Sequence, residues 1–175
     1  MDIDAFNGSA AEELTETLTA CADIPAWVAA IVDGRPYADT DALLRTAEGA
    51  TAFWTADDVE RALAQHPRIG ERSDRGGAEA AMSAREQSGV SQEADVAERL
   101  RAGNAAYEER FDRVYLVRAA GRSAEEILAM LEQRLTNDPQ TELEVTAGQL
   151  REIAMLRLRG LLDLPADPPA TRMDP

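Results

Sequence analysis

The sequence contains no lysine; all 18 of its basic residues are arginine. That absence removes whole classes of chemistry. No side-chain amine can form a Schiff base, which excludes lysine-linked pyridoxal phosphate and lysine aldolase mechanisms. No phosphate-binding loop of the GxxxxGK[ST] kind can be written. Cysteine and histidine occur once each, as Cys21 and His66. A Cys/His zinc centre needs more ligands than that, and an intrachain disulfide needs a second thiol. A lone thiol suits a reducing compartment. No run of 18 apolar residues exists, so no membrane span is expected. The opening "MDIDAFNGSA" is acidic where a secretory leader would be basic. A soluble, cytoplasmic protein is expected.

Acid dominates what is present. With 33 acidic residues the net charge is −15. Such a surface repels phosphate backbones and anionic membranes, so neither nucleic acid nor membrane is an expected partner. A hydrophobic share of 45% over 175 residues is globular and long enough for one sizeable core.

The chain reads as helices separated by short breaks. "SAAE" at Ser9–Glu12 has the form of a capping box, opening a helix with Leu14, Leu18 and Cys21 on one face. Asp23 is placed to cap a second helix, with Pro25 in its first turn and Trp27, Val28, Ile31 and Val32 facing inward. A third is expected from Asp41 to Trp54, and "TADD" at Thr55–Asp58 caps a fourth reaching Gln65. A fifth holds "AEAAMSAREQ", and a sixth from near Ser91 carries Val96, Leu100, Tyr107 and Phe111. Residues 114–121, "VYLVRAAG", form a strand or a buried extended segment; periodicity leaves both open. "SAEE" at Ser123–Glu126 caps a further helix, and a long last one spans Pro139 to Leu164. The expectation is an all-α, single-domain bundle of about eight helices over residues 1–164, followed by a proline-rich loose tail over 165–175.

Three features could carry chemistry. Pro67 disfavours helical geometry at His66, which puts the imidazole at a helix C-terminus. A histidine there is either a cap or a reactive group. Ser83, Glu86 and Gln87 stand at i, i+3 and i+4, so one helical face carries a hydroxyl, a carboxylate and an amide. The bland alternative is a solvated face. On the last helix, Leu143, Ala147, Leu150, Ala154 and Leu161 form an apolar stripe, and Arg157 falls on it. A buried guanidinium needs a partner. Both a structural ion pair and a fork for an anionic or carbonyl ligand satisfy that need.

The pieces "FN" at Phe6–Asn7, Trp27, "RPY", "HPRIG", "SAREQSGV", "YEERF", "GRSAEEIL", "RLTND" and "IAMLRL" occur in this order from Phe6 to about Leu164. In this the chain resembles the OHCU decarboxylases, which act on 2-oxo-4-hydroxy-4-carboxy-5-ureidoimidazoline on the way from urate to (S)-allantoin. "HPRIG" followed by "EQSGV" some twenty residues later is the specific part. The resemblance implies a cofactor-free, all-helical enzyme, commonly a homodimer. It makes His66, Glu86 and Arg157 catalytic. It makes Pro67, Ser83 and Gln87, with the backbone around Val117, Arg118 and Ala119, substrate-binding, with no metal. Asp112 and Arg113 depart from the family, which usually has a glycine and an apolar residue there. "CADI" replaces a more usual pair of small or cysteine residues. The chain closes on "MDP", so a peroxisomal tripeptide is not expected.

Two rival readings differ in class. An acidic helical interaction module explains the charge but not an inward Arg157. A carboxylate-bridged metal bundle ordinarily uses two E-x-x-H motifs, and this sequence has none.

Overall fold

The computed structural model describes residues 1–64, 66, 68–69, 81–82 and 94–164. Among these the chain is all-α, without a strand. The helices are α1 (Ile3–Gly8), α2 (Ala11–Cys21), α3 (Pro25–Asp33), α4 (Thr40–Ala50), α5 (Ala56–Leu63), α6 (Ala94–Phe111), α7 (Ala124–Arg134) and α8 (Pro139–Leu161), with a 3-10 turn at Thr51–Phe53. Of the helix expected around "AEAAMSAREQ", only Ala81 and Met82 are described, and both are helical. The tail 165–175 lies outside the described residues. The chain forms two compact units: Met1–Phe53 with the chain from Glu152 onward, and Trp54–Arg151.

In the first unit, Asp2 caps α1 by accepting from the Ala5 N–H at 2.8 Å. The sequence reading missed this short helix, and α1 explains why the "SAAE" box does not form. Ser9 ends α1, and its hydroxyl donates back to the Ala5 carbonyl at 2.8 Å. α2 therefore starts at Ala11 without a side-chain cap. Asp23 does not cap α3 either; Ile24 holds that position and Pro25 follows at the first turn. Packing carries these helices instead. Leu14, Leu18, Trp27, Ile31 and Leu43 are buried on α2, α3 and α4, each contributing about 1.5–3 kcal/mol against about 1 kcal/mol for a missing cap. The Trp27 indole N–H donates to the Ala47 carbonyl at 2.9 Å, tying α3 to α4. The "FN" and "RPY" pieces meet here. The Asn7 amide donates to the Tyr37 carbonyl and accepts from its N–H, both at 2.9 Å.

Trp54 opens the second unit. Both expected N-caps form in it as capping boxes: Thr55 with Asp58 on α5, and Ser123 with Glu126 on α7. α6 packs on α7 so closely that a Cβ at Gly103 would lie 2.6 Å from Leu131 Cδ2. Val96, Leu100, Tyr107, Phe111, Ile127, Leu128 and Leu131 form the core, as their spacing predicts. Residues 114–119 are neither helix nor strand. They form a buried irregular segment, with Tyr115, Leu116, Val117 and Ala119 inside.

The buried arc of α8 differs from the apolar stripe read in the sequence. Leu150, Ala154 and Arg157 are buried as expected, but Leu143, Ala147 and Leu161 are half-exposed. Glu142, Thr146 and Gln149 are buried in their stead. A wheel that scores only apolar residues cannot see this, because the inward side chains are satisfied by polar partners. Glu142 pairs with Arg134 of α7 at 2.6 Å, and Tyr107 donates its hydroxyl to Glu142 at 2.5 Å. Burial opposes the charge on Arg134, but the hydrogen bond and charge of Glu142 outweigh it and raise its pKa. Burial, and then the bond to Glu142, push the Tyr107 phenol up to about 12, so it stays a neutral donor.

Candidate functional site

His66 follows the last turn of α5. The helix ends at Leu63, earlier than the expected Gln65. The His66 N–H donates to the Leu63 carbonyl at 3.0 Å. Its ring turns back so that Nδ1 lies 3.0 Å from the Ala62 carbonyl oxygen. A carbonyl only accepts, so Nδ1 carries a proton and Nε2 is the nitrogen able to exchange one. The ring is half-buried.

Arg68 and Ile69 of "HPRIG" anchor the chain after His66 to α6. Arg68 forms a two-pronged pair with Glu108 of α6, at 2.5 and 2.7 Å. The hydrogen bond from Arg68 holds the Glu108 carboxyl below its ordinary pKa. Ile69 is buried, and its carbonyl accepts from the Asn104 amide at 3.1 Å. Glu108 belongs to "YEERF", so two motif pieces forty residues apart form one anchor. The sequence reading did not assign these roles, although both pieces stood out.

Pro67, Ser83, Glu86 and Gln87 lie outside the described residues. Val117, Arg118 and Ala119 sit on the irregular segment of the second unit, with the side chains of Val117 and Ala119 buried. Side chains hold its backbone: Arg134 Nη1 donates to the Leu116 carbonyl at 2.7 Å, and the Arg118 N–H donates to Gln149 Oε1 at 3.0 Å. Burial pushes the neighbouring Tyr115 phenol up to about 12.

Arg157 belongs to the first unit. It is 4% exposed, as its place on the stripe predicts. Its Nη1 donates to the Ala20 carbonyl at 3.1 Å. Ala20 lies in the last turn of α2, where carbonyls left without intrahelical donors and the helix dipole favour a cation.

The departure at Asp112 and Arg113 has a structural counterpart. Asp112 takes a left-handed conformation, φ 53°, just past the end of α6, and its N–H reaches the Glu108 carbonyl at 2.9 Å. This is the helix-ending position that glycine fills best. Arg113, where an apolar residue is usual, pairs with Glu60 of α5 at 2.9 Å.

Comparison with known proteins places the chain among characterised relatives. The family model for OHCU decarboxylase matches residues 7–159. The 2-oxo-4-hydroxy-4-carboxy-5-ureidoimidazoline decarboxylase of Amia calva is 30% identical over 170 residues, covering 95% of this chain and 97% of that protein. A crystal structure of OHCU decarboxylase in the presence of (S)-allantoin shares the fold with a TM-score of 0.73 at 23% identity, over 89% of this chain and 99% of that one. A crystal structure of (S)-allantoin synthase gives 0.70 at 17% identity; the match covers 93% of this chain and 55% of that longer one. An all-α decarboxylase, a carboxy-lyase, is the class defined. The chain belongs to the OHCU decarboxylase family.

Proposed function

We propose that His66, Glu86 and Arg157 carry out the family's reaction in this chain, the decarboxylation of 2-oxo-4-hydroxy-4-carboxy-5-ureidoimidazoline to (S)-allantoin in urate degradation. Decarboxylation leaves an electron pair that must be accommodated. The substrate ring carries its own acceptor, a C=N bond beside the carbon bearing the carboxylate. As the C–CO₂ bond breaks, the pair moves into the ring and the C=N nitrogen takes a proton. The resulting enol then loses its hydroxyl proton, and the adjacent carbon gains one. The protein binds, orients and moves protons.

His66 exchanges protons with the 4-hydroxyl and with the carbon that is reprotonated. The observation that carries this assignment is the Nδ1 contact with Ala62, which leaves proton exchange to Nε2. Glu86 orients the imidazole or the substrate and supports the protonated ring. Arg157 pairs with a substrate carbonyl or the departing carboxylate. Ser83 and Gln87 hold the ureido and ring amide groups. Pro67 and the backbone of Val117–Ala119 line the substrate. Residues 1–164 act as one enzyme domain, and the enzyme works in the cytoplasm as a homodimer. Among the described residues, no helix is long and apolar enough to cross a membrane.

The test is conversion of freshly generated substrate, followed by optical activity and repeated with a chelator. Turnover to dextrorotatory allantoin that survives chelation is expected. Activity lost to EDTA and restored by one divalent metal would overturn the cofactor-free assignment.

A further inference from the structure

Residues 116–118 lack the ladder of a strand and the ladder of a helix, yet their backbone is held at successive points by side chains. Gln149 Oε1 accepts from the Arg118 N–H at 3.0 Å. The Arg122 guanidinium donates to the carbonyl of the same residue, and also to Gln149 Oε1 at 3.3 Å. One pair of bonded side chains thus grips both peptide groups of Arg118. Gln149 is 8% exposed on α8, outside the stripe that apolar periodicity assigns to Leu143 and Ala147. Arg134 of α7 fixes the Leu116 carbonyl.

We propose that Gln149 and Arg122 are positioning residues for the decarboxylation, setting the backbone of Val117–Ala119 where it meets the substrate. This rests on the reading above that the segment lines the substrate. The physical reason is preorganisation. An irregular segment loses conformational freedom on meeting a ligand unless something already holds it, and that loss weakens binding. A group met equally by substrate and transition state changes KM and leaves kcat nearly unchanged.

The experiment uses the full chain with Gln149→Leu, Gln149→Glu and Arg122→Met. Gln149→Glu keeps an acceptor oxygen for both donors, and Arg122→Met removes the other half of the grip from a half-exposed position. Amide hydrogen exchange over residues 116–119 reads the grip itself; KM, kcat and the Kd of allantoin read its use. Gln149→Leu and Arg122→Met should speed exchange and raise KM and Kd at least about fivefold, with kcat within about twofold. Gln149→Glu should restore all three. Unchanged exchange in both disruptive variants overturns the grip. Faster exchange with unchanged KM and Kd overturns the positioning role. Wild-type protein that neither turns over the substrate nor binds allantoin overturns the reading underneath.

Discussion

His66 Nδ1 and the Ala62 carbonyl oxygen lie 3.0 Å apart, and this contact divides the imidazole into a held nitrogen and a working one. Asparagine places an amide N–H close to the Nδ1 position and has nothing at Nε2. His66→Asn should therefore keep the link to Ala62 and lose the proton-exchanging atom. We expect kcat to fall about 10²–10⁴-fold, the usual size of general acid/base catalysis, with the melting temperature nearly unchanged. If His66 is only a helix cap, kcat in the same sample will barely move.

Arg157→Lys keeps the charge but loses the planar fork. A catalytic Arg157 gives at least about a tenfold loss in kcat/KM, or 1.4 kcal/mol, with little change in melting temperature. The bond to Ala20 supplies the structural alternative. Wild-type kinetics with a much lower melting point would refute the catalytic assignment.

The Arg134–Glu142 pair makes a contrasting prediction. Both side chains are at least 95% buried. Glu142→Ala strands a buried guanidinium and should cost on the order of 3–5 kcal/mol in urea unfolding. Arg134→Met combined with Glu142→Leu removes both charges and should recover most of that loss. A double variant no more stable than Glu142→Ala would contradict this account.

Asp112→Gly should stabilise the chain by up to about 1 kcal/mol, because glycine adopts φ 53° without steric cost. Asp112→Val should destabilise it by more. Thermal melts of the two variants check the sign.

The Arg68–Glu108 anchor sets a pH dependence. Glu108 titrates below its ordinary value in the folded state, so its contribution is present above the unfolded pKa and is lost as pH falls through the folded one. For a pair with Arg68 about half exposed the contribution is small, about 0.2–1 kcal/mol. The melting-temperature gap between wild type and Arg68→Gln should be steady at neutral pH and close in acid. A gap that widens in acid would contradict the assignment.

Most helices were legible because apolar spacing and capping residues are local signals. Thr55 and Ser123 bear this out, and so do Trp27, Tyr107 and Leu131 in the cores. Ser9 misled because the same residue serves the helix before it. Residues 114–119 stayed ambiguous because side chains outside the segment, Arg122, Arg134 and Gln149, hold its backbone. Of the candidate site, His66 and Arg157 stood out by scarcity and by an odd position on the helix wheel. Gln149 and Asn104 did not, because a buried polar residue looks like a surface one until its partner is known.

The two compact units each contain one tryptophan, Trp27 in the first and Trp54 in the second. Trp27 is 1% exposed with its indole bonded to Ala47, so its emission should lie toward the blue and shift red when the first unit opens. Replacing either tryptophan with phenylalanine leaves a single fluorescent reporter. Denaturant titrations of the two variants would then read each unit separately. Coincident midpoints would mean that the chain melts as a single thermodynamic body, and separate midpoints would show which unit yields first.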